Sequence, residues 1–158
     1  MFDYDTDMTS DILILNTLKN SDDPFIKKCN LKFIDKSVPA EEDDTIYVAS
    51  IDCEQRLDSF DDTEYRALVN IYVKTKDTDY LEGSRFLRTV VKHIKYVLKR
   101  DEECSKRNIV FRNIKYEYGS SYTLEGLHLL VQMSEYEDFS DLTEDKNVCS
   151  ISTDDTEF

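Results

Sequence analysis

Hydrophobic residues recur with helical spacing in two stretches of this chain and alternate with polar residues in five others. The first helical stretch begins at Thr9 or Ser10, either of which can cap a helix, and continues to about residue 20. Its apolar side carries Ile12, Leu15 and Leu18. Spacings of three residues favour a short amphipathic helix here.

The second helical stretch is the longest element that the pattern predicts. It runs from about Tyr80 to Arg100, and Asp79 with Glu82 forms a capping-box sequence at its start. The basic residues Lys99 and Arg100 suit the negative end of a helix dipole. The apolar stripe of this helix consists of Leu87, Val90, Val91, Ile94, Val97 and Leu98.

The alternating stretches predict five strands, at residues 31–34, 45–51, 65–76, 108–118 and 122–133. In the third strand, one face holds Ala67, Val69, Ile71 and Val73. In the fourth, Val110, Ile114, Tyr116 and Tyr118 oppose Ile109, Phe111 and Asn113. A Gly-Ser-Ser turn at residues 119–121 joins the last two strands, which predicts an antiparallel hairpin.

The segments between these elements are polar. Residues 39–44 and 52–62 are read as loops, and the second of them is strongly acidic. Residues 137–158 are acidic and rich in Ser and Thr, which predicts a flexible C-terminal tail because so few apolar groups cannot offset the entropy of ordering.

The order of elements predicts an α+β fold for residues 1–136, which form a single domain. We expect a mostly antiparallel sheet with the long amphipathic helix and the short N-terminal helix packed on one face. The hairpin residues that share a face with the helix stripe should be buried against it. These are Leu127, Leu129, Val131 and Met133, which should meet Leu87, Val90, Val91, Ile94 and Leu98.

The chain of 158 residues carries a net charge of −14, and that charge is unevenly distributed. Residues 74–115 hold twelve basic and six acidic residues, so their net charge is +6 and the remainder carries −20. An acidic balance disfavours general attraction to nucleic acid or to an anionic membrane.

Residues with catalytic or metal-binding chemistry form no recognisable pattern. The sequence has three glycines and lacks a phosphate-binding loop or a nucleophile elbow. His93 and His128 belong to no triad or zinc signature, which favours structural or surface roles. We therefore expect no catalytic residue, no cofactor and no metal, and we expect that the protein is not an enzyme.

Two further patterns, the cysteines and the acidic N-terminus, do not meet the requirements of known metal sites. The four cysteines are far apart and form no CxxC pair, which favours reduced thiols in a cytosolic protein: Cys29, Cys53, Cys104 and Cys149. An EF-hand loop beginning at Asp3 would need Gly and Glu where the sequence has Met8 and Ile14. A solvated acidic N-terminus is the simpler interpretation.

The N-terminal residues are acidic and precede no long apolar run, which predicts neither a signal peptide nor a membrane span. We therefore expect a protein that stays in the cell that makes it, or in a particle assembled there.

Basic residues recur at spacings of three and four along one face of the long helix, and we call them the basic row. They are Arg85, Arg88, Lys92, Lys95 and Lys99. The row could be a solvated face opposite the apolar stripe, or a docking surface for an acidic partner or a phosphate backbone. It also suits head-to-tail self-association, in which the basic face of one copy meets acidic loops of the next.

The sequence resembles the tail terminator (tail completion) proteins of long-tailed bacteriophages over roughly residues 9–135. The resemblance lies in the size and order of the elements. It is carried by residues 67–73 (ALVNIYV), 86–94 (FLRTVVKHI), 113–119 (NIKYEYG) and 127–131 (LHLLV). The acidic tail and the strength of the basic row are not part of the family pattern.

The resemblance implies a structural virion protein that forms a ring, commonly a hexamer. The ring would cap the tail tube, end its polymerisation and offer the docking surface for the head or neck. It implies self-association, contact with the tail tube protein and with a head–tail connector or neck protein, and a place at the tail–neck junction after assembly in the host cytoplasm. No sequence-specific nucleic acid and no membrane partner are expected.

Charge, and not the family, selects the candidate contact residues. We expect subunit or tube contacts at the basic row and in the acidic segment, through Asp52, Glu54, Asp58, Asp61 and Asp62. Alternatives remain: a head–tail joining, neck or minor capsid protein, a small non-viral adaptor module that binds an acidic partner through the basic helix, or an unrecognised enzyme.

Overall fold

The alternating and helical segments form one five-stranded sheet with helices on one face in a computed structural model of the protein, which describes residues 9–33, 44–58, 62–76, 79–119 and 122–138. The helices are α1 (Ser10–Lys19), α2 (Pro24–Lys27), α3 (Tyr80–Arg100) and α4 (Glu102–Lys106). The strands are β1 (Asn30–Phe33), β2 (Thr45–Asp58), β3 (Asp62–Lys74), β4 (Val110–Tyr118) and β5 (Leu124–Asp138).

The strands lie in the order β1-β2-β3-β5-β4, so β1 and β4 are the edges of the described sheet. β1 runs parallel to β2, and every other neighbouring pair is antiparallel. The fold is therefore α+β with a mostly antiparallel sheet, as the sequence predicts. The predicted hairpin is formed by β4 and β5.

The core lies between the helices and the inner face of the sheet. The predicted burial is confirmed, because the hairpin face and the helix stripe belong to one cluster of buried side chains: Leu87, Val90, Val91, Ile94, Leu98, Leu127, Leu129, Val131 and Met133. Full burial of each such side chain stabilises the fold by about 1.5–3 kcal/mol. α1 adds Leu13, Ile14 and Leu18 to the same cluster.

Aspartate side chains cap the starts of α2, α3 and α4, whereas Thr9 at the start of α1 makes no side-chain capping hydrogen bond. The carboxylate of Asp79 accepts a hydrogen bond from the Leu81 amide at 3.2 Å and begins α3. Asp101 leaves the helix with extended backbone angles (φ −70°, ψ 130°), and its carboxylate then caps α4 by accepting from the Cys104 amide at 3.0 Å. The short helices α2 and α4 are not predicted by the hydrophobic pattern, because a single helical turn shows no periodicity.

The prediction of an acidic loop at residues 52–62 is wrong. β2 continues to Asp58 and β3 begins at Asp62, so only residues 59–61 fall between the strands, outside the described residues. Acidic residues are rare in strands, but pairing along most of β3 outweighs that weak preference. Asp52 pairs with Leu68, and Glu54 with Arg66.

β5 also extends past the predicted boundary of the domain. It continues to Asp138, so Glu137 and Asp138 lie in a strand where the sequence analysis placed the start of the tail. Residues 139–158 lie outside the described part of the chain, as do residues 1–8 with the acidic N-terminus and most of the polar loop predicted at 39–44.

The predicted alternation of β4 is wrong at one point. Phe111 pairs with Val131 and Ile114 with Leu129, so three steps along β4 match two along β5. This extra residue is a β-bulge, which moves the following side chains to the opposite face of the sheet. Phe111 therefore shares the helix-covered face with Ile114 and Tyr116 instead of opposing them.

Candidate docking groove between α3 and β4

Helix α3 packs over β3 and β5 and leaves β4, the edge strand beside them, partly uncovered. As a result, large apolar side chains of β4 such as Ile114 (51%) and Tyr118 (46%) are exposed. Because β4 pairs only with β5 within the described sheet, its outer backbone groups are available to a further strand.

An open groove of about 490 Å³ lies between α3 and β4. One wall comes from the helix and the other from the strand, and Leu127 of β5 forms part of the floor. The lining residues are Arg88, Val91, Lys92 and Lys95 from α3, and Ile114 and Tyr116 from β4. The middle of the predicted basic row therefore lines one side of a partly apolar groove.

Arg88 and Tyr116 connect the two walls. The Nε atom of Arg88 donates a hydrogen bond to the hydroxyl of Tyr116, and its guanidinium lies 5.7 Å from the centre of the tyrosine ring. The Ser84 hydroxyl is 3.4 Å from the same oxygen. Burial tends to raise the pKa of Tyr116, but the hydrogen bonds from Ser84 and Arg88 outweigh it, so this pKa lies below its usual value.

Two lysines of the basic row lie close to the aromatic ring of Phe111, near the start of β4. The Nζ atoms of Lys95 and Lys99 lie 5.9 and 6.0 Å from the centre of the Phe111 ring. Cation–π contacts of this kind hold the charges close to the strand while their outer faces remain in water. The β-bulge makes this possible, because it places Phe111 on the helix side of β4.

Four members of the basic row lack a carboxylate partner within the described residues. Arg85 is the exception, at 3.9 Å from Glu82, one turn before it on the exposed side of α3. For the other four, no carboxylate of the described chain lies within 4.0 Å: Arg88, Lys92, Lys95 and Lys99. Lys115 and Arg112 of β4 point to the opposite face of the sheet, where Lys115 borders the cleft beside His128 and Arg112 donates a hydrogen bond to Gln132. The groove thus concentrates positive charge on an acidic protein.

The acidic residues that were predicted to form subunit or tube contacts lie elsewhere in the sheet. Asp52, Glu54 and Asp58 are on β2 and Asp62 is on β3, while Asp61 lies outside the described residues. β2 is three strands away from β4, or about 14 Å at the usual strand spacing. Within one sheet, therefore, the fold places the acidic strand β2 and the groove strand β4 on opposite sides of β3 and β5.

The two histidines have structural contacts outside the groove. On α3, the Nδ1 atom of His93 lies 2.5 Å from a carboxylate oxygen of Asp23, the residue that caps α2, and the ring lies against Phe25. Burial tends to raise the pKa of Asp23, but hydrogen bonds from His93 and from two backbone amides outweigh it, so the pKa lies below its usual value.

His128 lies on the sheet face opposite the helices. Its Nε2 atom is 2.6 Å from Glu117, its Nδ1 atom is 3.0 Å from the Asn70 amide nitrogen, and its ring stacks on Tyr72 at 4.3 Å. Asn70 and His128 also border an open cleft of about 310 Å³ with Asn113, Lys115 and Leu130. All polar atoms of the ring thus have partners, as expected for a histidine with a structural role.

A wider depression of about 600 Å³ lies between α1 and α3. It is lined by neutral polar residues of α1 such as Asn16, Thr17 and Asn20, together with Tyr96 and Arg100. Its charges are mixed and it borders no strand edge. The groove beside β4 is smaller, but it combines positive charges, exposed apolar surface and the outer backbone groups of an edge strand.

Among the described residues, no group of three or more His, Cys, Asp or Glu side chains is placed to hold a metal ion. No helix in the same part of the chain has the length and apolar character needed to cross a membrane.

The sequence alone located the basic wall of the groove but missed the aromatic wall. The signal was present as Phe111, Tyr116 and Tyr118 on a predicted strand that also carries Arg112 and Lys115.

No model of a known protein family matches this chain, and no curated protein matches its sequence.

Proposed function

We propose that this protein is a structural component of a bacteriophage particle, which associates head to tail into a ring and caps the tail tube. The ring would end polymerisation of the tube and present a docking surface to the head or neck, without making or breaking a covalent bond. The observation that carries the proposal is the groove between α3 and β4, whose cations have no carboxylate partner among the described residues and whose strand wall exposes apolar side chains.

The groove has the properties of a protein-docking surface. Its apolar residues Ile114 and Tyr116 offer contact area, and the edge of β4 offers backbone hydrogen bonds. The basic row extends from Arg88 to Lys99, about 16 Å along the helix axis, and can meet several carboxylates of a neighbour at once. Exposed ion pairs are individually weak, so the apolar contacts and the row must act together.

Acidic residues on other strands of the same chain have the charge opposite to that of the basic row. β2, the start of β3 and the end of β5 carry Glu54, Asp58, Asp62, Glu137 and Asp138. Two different surfaces that fit each other give a heterologous contact, which closes into a ring when the rotation between copies allows it. The order of helices and strands is also the order on which the resemblance to tail terminators rests.

The first test is the mass of the full chain in solution, measured by light scattering at low and high salt. We expect a ring of several copies, six by the family resemblance, that dissociates at high salt because the screening length falls from about 10 Å at 0.1 M to about 3 Å at 1 M. Charge reversal by Lys92→Glu with Lys95→Glu should leave monomers. The matched control is Lys19→Glu with Lys76→Glu, which changes the net charge equally away from the groove.

The capping role is tested with purified tail tubes. The protein should bind tube ends and stop elongation, and the variant with Lys92→Glu and Lys95→Glu should not. If the wild-type protein is monomeric at all concentrations and does not bind tube ends, the proposal is wrong. Binding to a portal or adaptor ring instead of a tube would assign it to the head–tail joining or neck proteins.

The same groove favours a second function, that of an adaptor module for an acidic partner. A single binding groove on a monomer needs no ring, and its affinity for an acidic peptide would fall with salt. A monomer that binds acidic peptides through Lys92 and Lys95 but ignores tail tubes would support this function over the first.

A further inference from the structure

The groove beside β4 also has a candidate occupant within the chain itself. We propose that the acidic segment 139–158 docks along this groove of its own chain and covers it in the unassembled protein. The inference does not depend on the ring, because it concerns a contact within one molecule.

Charge complementarity supports this occupant. Residues 139–158 contain six acidic residues and one basic residue, Lys146. The acidic residues are Asp141, Glu144, Asp145, Asp154, Asp155 and Glu157. Opposite them, Arg88, Lys92, Lys95 and Lys99 have no carboxylate partner among the described residues. Each side therefore provides the charges that the other side needs.

The segment also contains apolar residues that suit the strand wall. Val148, Ile151 and Phe158 are spread among its acidic residues. Ile114 in the groove is 51% exposed, and Tyr118, two residues beyond Tyr116 on β4, is 46% exposed. A sequence that mixes carboxylates with isolated apolar side chains matches a surface that mixes cations with apolar groups.

The length and starting point of the segment allow it to reach the groove. It begins after Asp138, which lies six residues beyond Gln132, the partner of Val110 at the start of β4. To reach the start of β4, the segment must return along these six residues, about 20 Å, and β4 itself is about 26 Å long. Twenty extended residues span up to about 66 Å, which is enough to pass Val110 and follow β4 to its end.

Attachment to the same chain makes even a weak contact effective. Short flexible connections give effective concentrations of about 1 mM, so a contact with a dissociation constant of about 100 µM would be docked about ten times more often than free. An acidic partner would therefore compete with the segment, and groove occupancy by the segment would delay association until a partner of higher affinity arrives.

The test uses the full chain with a nitroxide spin label on Cys149. Eleven extended residues after Asp138 cover about 36 Å, which brings Cys149 to the middle of β4 near Ile114. Cys53→Ser removes one competing thiol. Burial raises the pKa of the Cys29 and Cys104 thiols to about 12, so these two react slowly with the labelling reagent.

In the labelled protein at low salt, at a dilution where light scattering shows monomers, we expect the amide NMR signals of Lys92, Ile114 and Lys115 to lose at least half their intensity relative to the reduced label. Neutralising the six acidic residues of the segment to Asn and Gln should restore these signals, as should Lys92→Glu with Lys95→Glu. The control with Lys19→Glu and Lys76→Glu should leave the broadening unchanged.

Two outcomes would overturn the inference. The first is equal intensities with oxidised and reduced label at low salt. The second is broadening only when ¹⁵N-labelled protein is mixed with separate spin-labelled protein, because the segment would then dock on another copy. Failure of ring assembly alters neither result, so the two proposals can fail separately.

Discussion

Ile114 and Leu129 face each other on neighbouring strands, yet Leu129 is fully buried while Ile114 is 51% exposed. The two backbones are about 4.8 Å apart, so the cover provided by α3 ends within one strand spacing. Ile114 is apolar like the core residues, but α3 does not cover it. The edge of β4 therefore presents apolar surface that a partner could bury.

This pair gives the first prediction. Leu129→Ala should reduce the free energy of unfolding by about 2–5 kcal/mol, because it leaves a cavity between α3 and the sheet. Ile114→Ala should change it by less than about 0.5–1 kcal/mol, because about half of this residue lies outside the packing of α3 against the sheet. Urea denaturation of both variants checks this. Equal losses would show that Ile114 is packed as tightly as Leu129.

The contact between Arg88 and Tyr116 predicts a titration behaviour. Arg88→Gln should raise the pKa of Tyr116, because it removes a hydrogen bond and a positive charge that favour the phenolate. The ¹³Cζ chemical shift of Tyr116 reports this titration directly. Arg85→Gln is the control, since Arg85 pairs with Glu82 on the same helix face.

The same contact fixes how stability depends on pH. The folded pKa of Tyr116 is lowered, so its contribution is complete above the unfolded value of about 10 and is lost as the pH falls through the folded value. The stability difference between wild type and Arg88→Gln should therefore grow as the pH rises toward 10.

Gly126 is predicted to tolerate no side chain. A Cβ atom there would lie 2.3 Å from the Tyr72 ring and 2.6 Å from the carbonyl oxygen of Val73. Gly126→Ala should cost about 1–3 kcal/mol in thermal or urea unfolding, because neither the packed ring nor the backbone can retreat cheaply. Gly119→Ala is the control: its Cβ would meet only the exposed side chain of Glu125, which can move away. Similar costs at both positions would contradict the prediction.

The Asp23–His93 contact predicts a stability change in acid. Because the folded pKa of Asp23 is lowered, its contribution is present above the ordinary value of 3.8 and is lost as the pH falls through the folded value. Asp23→Asn keeps a capping side chain but removes the charge, and should cost about 1 kcal/mol at pH 7 and less near pH 3. Asp22→Asn, at a fully exposed neighbour, should cost little at either pH.

Cysteine reactivity tests the packing of α4. Cys104 is fully buried, and burial raises its pKa to about 12, so the thiolate fraction at pH 8 is on the order of 10⁻⁴. Disulfide reagents should modify Cys104 far more slowly in native protein than in urea, as followed by mass spectrometry. Comparable rates would mean that α4 opens readily.

The sequence predicted the elements that have a strong period. The helix stripe from Leu87 to Leu98 repeats over many turns, and the alternation at residues 67–73 extends over most of a strand, so the pattern defines both the element and its buried face. β2 was cut short because its second half carries acidic residues. Cross-strand pairing with β3 decides its length, and pairing is not visible in one strand alone.

Only half of the groove could be predicted. Helical spacing places Arg88, Lys92 and Lys95 on one face, but it does not say which strand that face lies beside. That relationship depends on the lateral position of α3 over β3 and β5, which the packing of the whole core sets. The bulge in β4 also changes which side Phe111 occupies, and a single extra residue leaves no mark on the apolar pattern.

The bulge between Phe111 and Ile114 has a consequence for aggregation. A straight strand of nine residues at the edge of a sheet would be a template for indefinite edge-to-edge stacking. The kink divides β4 into two short regular pieces, and Arg112 and Lys115 place like charges where an identical edge would have to approach. Two copies of this edge are therefore poor partners for each other, and fibrillar growth through β4 is disfavoured even at high local concentrations of the protein.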